Sequence, residues 1–371
     1  MNSERLTGGI RPLQLYVDRE TLQVGSQYVF LLYPFWGPIP EPPGDPDENR
    51  FARYLELGKE LFVFTSKEES EAFLLPVAWE LLDDKRGAHR LAEEAARHNK
   101  PLIIFYCSDA TDAIPIDNAI IFRTSGFRSS RKPNEFGLPG WSRDFLSYNS
   151  DKFSVRQKEN RPSVSYCGYI DFQGVRGFLT EAVRLSNAGR FVKNLLLNGE
   201  VRLFAEEARL RGKAVRRLRA STKVEPHFVL RKGFRGEGLD DKKAARLEYA
   251  DNLMNADYAL VVRGAGNFSY RLYEVLSCGR IPVFVDTDCI LPFDHLIDWK
   301  KFMVWVDSDK LEDLENIILE FHQKLAPEEF ERLQLSIRKL YENWISPLGF
   351  FRNLWRCVRH FPAQSPERLH S

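Results

Sequence analysis

No apolar run in these 371 residues approaches the ~20 that a membrane span needs. The opening stretch, MNSERLTGGIRPLQLYVDRE, has no apolar core of signal-peptide length. The chain therefore reads as cytoplasmic, with peripheral membrane association as the alternative. Cysteine is scarce: five residues, at 107, 167, 278, 289 and 357, with no Cys-x-x-Cys pair. An odd, scattered set argues against a zinc ribbon and against a disulfide framework, and suits a reducing compartment. Charge of one sign is also missing. Lys and Arg total 53 against 52 Asp and Glu, so a net charge of +1 names no polyanionic partner. The seven histidines show no metal-ligand spacing. No Gly-x-Gly-x-x-Gly follows the first strand of either half, which argues against a dinucleotide dehydrogenase.

What remains is ordinary globular composition, 43% hydrophobic and 13% aromatic, in a chain long enough for two domains. After a proline-rich loop at 37–49, strand-like runs at 61–65, 102–107 and 119–123 alternate with an amphipathic helix at 84–98. Residues 124–160 are poorly periodic and read as an active-site loop followed by a linker. A second alternation then begins: strands at 163–169, 191–197, 225–230, 258–262, 281–285 and 304–306, with helices at 177–187, 200–219, 242–254, 269–278, 311–325, 327–344 and 350–360. This βα alternation predicts two successive α/β units with parallel sheets. The domains are expected at 1–155, joined by a C-terminal helix at 345–371, and at 156–344. A ligand is expected at the carboxyl ends of the strands.

The most informative segment is 257–286, DYALVVRGAGNFSYRLYEVLSCGRIPVFVD. A buried strand runs into a flexible loop, Arg263-Gly264-Ala265-Gly266-Asn267, and then into a helix with Ser269 as its N-cap and Gly279 as its stop. Leu272, Val275, Leu276 and Gly279 form the packing face. Arg271, Glu274 and Cys278 share another face, expected to point outward. An arginine in the first turn opposes the helix dipole unless an anion compensates, and a pyrophosphate would do so. Glu274 could then accept from ribose hydroxyls. The competing reading is a solvated Arg–Glu pair on a structural βαβ unit.

This segment resembles the exostosin family of glycosyltransferases, whose hallmark is a serine, then Arg-Leu-Tyr-Glu, then Gly-x-Ile-Pro-Val. Here these are Ser269, Arg271-Leu272-Tyr273-Glu274 and Gly279-Arg280-Ile281-Pro282-Val283, with Arg263-Gly264 upstream. The resemblance is clear over roughly 160–300 and loose before it, through PLIIFYCSDATD and FRTSGFR. It implies a GT-B fold, meaning two Rossmann-like domains facing a cleft with the C-terminal helix crossing back to the N-terminal domain. It also implies a nucleotide-sugar donor and inversion at the anomeric carbon. The donor-binding residues so implied are Arg231, Arg263, Gly264, Gly266, Asn267, Ser269, Tyr270, Arg271 and Glu274. No cofactor is expected; the co-substrate is a nucleotide sugar, with UDP-sugar first. Without the N-terminal Golgi anchor of the eukaryotic relatives, the chain looks more like a bacterial member making surface polysaccharide on a glycan or lipid-linked acceptor.

Inversion needs a base for the acceptor hydroxyl. Asp109 and Asp112, after the strand at 102–107, and Asp171, in the first loop of the second half, are the candidates, with turn or cap roles as the alternative. Asp-x-Asp occurs at 45/47 in the proline loop, at 307/309 before a helix, and at Asp286/Asp288 after a strand; in the matching pattern that last aspartate is not a metal ligand, and no metal is expected. The run 209–223, RLRGKAVRRLRASTK, is either a solvated helix face or a patch for an anionic membrane surface or acceptor; lacking aromatics, it does not suggest nucleic acid. The loop 122–141, with Phe136 and Trp141, could contact acceptor sugar or pack as an interface. The leading reading is an inverting, metal-independent glycosyltransferase. The rivals are a GT-B-like epimerase or hydrolase acting on nucleotide sugars, and a non-catalytic partner subunit.

Overall fold

The computed structural model describes residues 11–18, 27–41, 45–170, 200–231, 242–359 and 361, with the backbone alone over 200–208. It divides into two compact units. Unit 1 holds residues 1–141, 290–293 and 342–371; unit 2 holds 142–289 and 294–341.

Unit 1 is built on a six-stranded parallel sheet of β1 (Leu13–Val17), β2 (Phe62–Phe64), β3 (Ala72–Leu74), β4 (Leu102–Tyr106), β5 (Ala119–Arg123) and β6 (Glu135–Gly137), in the order β2-β1-β3-β4-β5-β6. The central strands read LIIFY and AIIFR because both faces are covered, so every residue of β4 and β5 is buried. Helix α1 (Arg86–Arg97) covers one face with Ala88, Leu91, Ala92 and Ala95, a 3–4 spacing that places all four on one stripe. An aromatic layer also fills this unit. Trp141 packs on Phe350 and Phe351, Tyr54 stacks on Phe351 at 4.4 Å, and Phe122 meets Phe350 edge-on. Phe350 and Phe351 come from α7 (Pro347–Asn353), and the following α8 (Trp355–Arg359) is tied down by Arg359, which donates to Glu71 at 2.8 Å. The aromatic C-terminal segment is thus core of unit 1.

The loop 122–141 is not a free acceptor loop. Trp141 is 4% exposed and donates its indole N–H to the Ile345 carbonyl at 2.8 Å. Phe136 packs over Phe122, and the Arg123 guanidinium is buried against Glu135 at 3.1 Å.

Unit 2 carries a five-stranded parallel sheet of β7 (Ser163–Tyr169), β8 (Glu225–Arg231), β9 (Tyr258–Val261), β10 (Ile281–Asp286) and β11 (Val304–Asp307), in the order β11-β10-β9-β7-β8. Its helices are α2 (Glu200–Arg219), α3 (Lys242–Met254), α4 (Tyr270–Ser277), α5 (Leu314–Lys324) and α6 (Pro327–Leu340). The expected elements at 177–187 and 191–197 lie outside the described residues. The unit boundary falls after Trp141 and not after 155, because 142–157 packs on unit 2. Asp144 takes a two-pronged bond from Arg338 at 2.9 and 2.8 Å, and the Phe145 N–H donates to Ser277 Oγ.

A buried polar chain fixes the start of this sheet. His322 donates from Nε2 to the Glu159 carbonyl at 2.7 Å and accepts at Nδ1 from the Tyr258 hydroxyl at 2.9 Å. A carbonyl only accepts, so Nε2 carries a hydrogen, and the neutral ring that burial favours leaves Nδ1 to accept. Burial pulls the imidazole below its usual range. As pH falls below about 6.5, the unfolded chain takes up this proton first, and stability declines until the folded-state value is passed. Urea titrations at pH 7.5 and 5.5 should show a smaller acid loss for His322→Gln than for wild type. Equal losses would remove His322 from the account.

Candidate functional site

The strand order defines a switch point in unit 2. From β7 the chain goes to β8 on one side, and the later strands β9, β10 and β11 lie on the other. Right-handed crossovers put the connections running in opposite directions on opposite faces, opening a crevice at the carboxyl ends of β7 and β9. The segment singled out by sequence lies there.

After β9, the loop folds on itself. Gly264 N–H donates to the Phe268 carbonyl at 2.7 Å, and Gly266 is buried. A Cβ on Gly264 would meet only that carbonyl, at 3.6 Å, so this glycine is not forced by space. Asn267 is a clamp: its Nδ2 donates to the Thr287 carbonyl at 3.0 Å, and its Oδ1 accepts from Thr287 Oγ1 at 2.7 Å. That ties the loop to the chain just past β10. Ser269 has the extended backbone of an N-cap, but its hydroxyl makes no capping bond, and Tyr270 is exposed beside Phe268. The start of α4 is therefore not closed by its own N-cap side chain. Gly279 ends α4 in the left-handed region, at φ +63°, with Phe153 and the Gln334 carbonyl where a Cβ would stand.

Arg271 enters the crevice. Its Nη2 donates to the Cys167 carbonyl of β7 at 2.5 Å, and its guanidinium lies 4.3 Å from the centre of the Tyr166 ring. Its Nη1 is buried with no hydrogen-bond partner. Gly168 makes room for it, since a Cβ there would stand 3.0 Å from Nη2. A glycine inside a strand often marks such an approach, and this signal was available in YCGY. Arg263, 5% exposed, sits at the mouth of β9.

Glu274 does not face outward. It is 6% exposed and receives the Tyr249 hydroxyl at Oε2 and Arg246 at Oε1, the latter at 3.2 Å. Cys278 on the same stripe is buried too. Helix α3 covers this face of α4, which the isolated helix pattern did not show. The solvated-pair reading fails for the same reason. Burial, and then the Glu274 carboxylate, hold the Tyr249 hydroxyl well above its usual range. Arg246 also lies over Phe145 at 4.7 Å, so Glu274 anchors a wall of aromatic and cationic groups.

Arg231, at the end of β8, turns toward α3, donating to the Ala245 carbonyl at 2.6 Å and pairing with Glu248 at 3.0 Å. Asp286 closes a turn by accepting from the Asp288 N–H at 2.9 Å. Among the described residues, no three His, Cys, Asp or Glu side chains gather to hold a metal. In unit 1, Asp109 and Asp112 are exposed in the loop after β4, and the Asp112 carbonyl accepts from Arg123 at 3.2 Å. Asp171 lies outside the described residues. All five cysteines are thiols. Among the described residues, no helix is long and apolar enough to cross a membrane.

Two units, each a parallel sheet with helices, are the α/β arrangement of the GT-B class. Residues 198–321 match the Exostosin GT47 domain, a stretch that runs from α2 into α5 and includes β9, the loop after it and α4. The chain is similar to Exostosin-1 of Drosophila melanogaster, 29% identical over 29% of this chain and 14% of that protein. It is also similar to Exostosin-2 of Homo sapiens, 30% identical over 27% of this chain and 14% of the relative. The matched stretch is thus a small part of those longer proteins. Among solved structures, it is similar to an alpha-glucosyltransferase in complex with UDP and a mismatched DNA, with 9% identity, 95% of this chain and 100% of that one covered, and a TM-score of 0.31. A GtfA/B complex bound to UDP and GlcNAc matches at 11% identity over 82% of this chain and 58% of that one, with a TM-score of 0.24. These two scores are too low to carry an argument, and the fold rests on the sheets themselves.

Proposed function

We propose that the protein is an inverting glycosyltransferase that uses a nucleoside-diphosphate sugar, with UDP-sugar first, and holds the diphosphate in the crevice between β7 and β9. The observation that carries this reading is the guanidinium of Arg271, buried at the switch point with Nη1 unpartnered, beside Arg263 and a helix start that its N-cap side chain leaves open. Buried donors of this kind suit an anion that forms two or more charge-assisted bonds.

In the reaction, an acceptor hydroxyl attacks the anomeric carbon as the bond to the diphosphate oxygen breaks, and a base takes the hydroxyl proton. The main demand on the protein is to stabilise charge on the departing diphosphate. Arg263 and Arg271 are proposed to meet it without a metal, with Arg231 at the rim. Glu274 sets the positions of Tyr249 and Arg246 and, through them, the wall of the site. Asp109 and Asp112 are the proposed bases, as exposed carboxylates beyond the carboxyl end of β4. The acceptor proposed is a glycan or glycolipid of a bacterial surface polysaccharide.

Thermal shifts with UDP, GDP, ADP, dTDP and CMP test the donor assignment. A ligand at one hundred times its Kd adds about 2.7 kcal/mol to stability. UDP should raise the melting temperature most, and EDTA should leave that shift unchanged. No shift with any nucleotide would refute the donor site. A UDP shift that disappears in EDTA and returns with Mn²⁺ would refute metal independence.

A further inference from the structure

The basic run of α2 divides into two populations. Most of its charges are spent at the surface: Lys213 pairs with Glu312 at 2.9 Å, Arg217 lies 3.8 Å from Glu315, Lys223 donates to Asn316, and Arg216 and Arg219 are exposed. Arg211 departs from them. Its Nη2 donates to the Arg263 carbonyl at 3.1 Å and its Nη1 to the Tyr169 carbonyl at 3.5 Å. Tyr169 is the last residue of β7, and Arg263 follows β9. The side chain therefore straddles the two strand ends that form the crevice.

Helix α2 lies on the connection from β7 to β8 and α4 on the connection from β9 to β10, which run in opposite directions across the sheet. By crossover handedness the two helices flank opposite faces. Arg211 and Arg271 thus reach the same crevice from opposite sides, with Arg263 at its mouth. Burial pulls the Arg211 guanidinium below its usual range, with the charges of Arg271 and Arg263 adding to that effect against Tyr166 and Tyr169. An arginine does not escape this cost by losing its proton. Three guanidiniums brought together in a desolvated pocket repel one another, and a polyanion removes the repulsion.

We propose that Arg211 is a third diphosphate-binding residue of the donor site, closing on the ligand from the side opposite Arg271. The inference rests on the reading of the crevice as a diphosphate site. It gives the basic run a role that the surface-patch reading did not: one of its arginines is delivered inward. A site with three guanidiniums selects a diphosphate over a monophosphate, because the additional charge is matched within the pocket.

Isothermal titration of the intact chain with UDP, UMP and inorganic pyrophosphate tests this. Wild type should bind UDP and pyrophosphate, with UMP at least tenfold weaker than UDP. Arg211→Gln should weaken UDP and pyrophosphate at least tenfold and UMP much less, narrowing the preference. Arg216→Gln, on the exposed side of the same helix, should behave as wild type. Arg211→Lys keeps the charge and loses the fork, so it should lose UDP affinity several-fold, and it serves if the glutamine variant does not fold. Wild-type UDP and pyrophosphate binding in the folded Arg211 variants would overturn the role of Arg211 and leave the donor site standing. A wild-type chain that binds neither UDP nor pyrophosphate would overturn the donor site itself.

Discussion

Arg271→Ala should weaken UDP binding more than tenfold, measured by titration calorimetry, while the protein remains folded. A hydrogen bond to a charged group contributes about 1.5–3 kcal/mol, and 1.4 kcal/mol is a factor of ten. The structural losses are smaller in kind: one bond to the Cys167 carbonyl and the stacking on Tyr166, the latter worth about 1–2 kcal/mol when desolvated. The melting temperature of the free protein should therefore fall by a few degrees, and the stabilisation by UDP should vanish. Wild-type affinity in this variant would remove the crevice from consideration as a donor site. Glu274→Ala belongs to a different class. Its carboxylate is buried between Tyr249 and the half-buried Arg246, so truncation takes an acceptor from the buried Tyr249 hydroxyl and lowers stability along with binding.

The second large effect is on the fold. Arg280→Met should lower unfolding stability by about 2–6 kcal/mol in urea titration, at about 1–3 kcal/mol for each of the two carbonyls that lose their donor. The Arg280 side chain is 2% exposed and donates to the carbonyls of Met254 and Ser154 and to Gln334 Oε1, at 3.0–3.1 Å. Three elements meet on it: the end of α3, the segment before β7, and α6. Burial pulls this arginine down to about 10, so holding it charged already costs the fold something, and the hydrogen bonds offset that cost. Methionine fills the stem volume but leaves the Met254 and Ser154 carbonyls without this donor, while Gln334 Oε1 keeps only the Arg156 N–H. A loss under about 1 kcal/mol would mean that water reaches the site and that the clamp is not structural.

Much of unit 2 could be read from sequence because fully covered parallel strands appear as unbroken apolar runs. YALV and IPVFVD are examples, and each lies between helices with regular spacing. Unit 1 was harder. β3 and β6 have three residues each, too few to show a period, and β1, LQLYV, mixes polar and apolar positions although it lies inside the sheet. The loop after β9 stands out by its glycines and arginines, but the roles within it are not separable in the sequence. Asn267 resembles a ligand-facing residue until Thr287 is placed beside it. Glu274 resembles a surface residue because its partners, Tyr249 and Arg246, belong to α3, and no local pattern announces a helix that packs from elsewhere in the chain. Arg211 was hidden by its neighbours, since a run of like charges gives no sign of which member turns inward.

The order in which the chain is made sets a condition on unit 1. Its sheet is assembled from early residues, while Phe350 and Phe351 of its aromatic layer are synthesised after the whole of unit 2. During translation, the apolar surfaces of Tyr54, Phe105, Phe122 and Trp141 wait for their final neighbours while unit 2 is already complete enough to fold. The nascent protein is therefore most vulnerable to aggregation in the interval before residue 350 leaves the ribosome. A molecular chaperone that shields aromatic surface would act on the first half of the chain at that stage, and a stop codon just after α6 would leave unit 2 whole beside a unit 1 that cannot close its core.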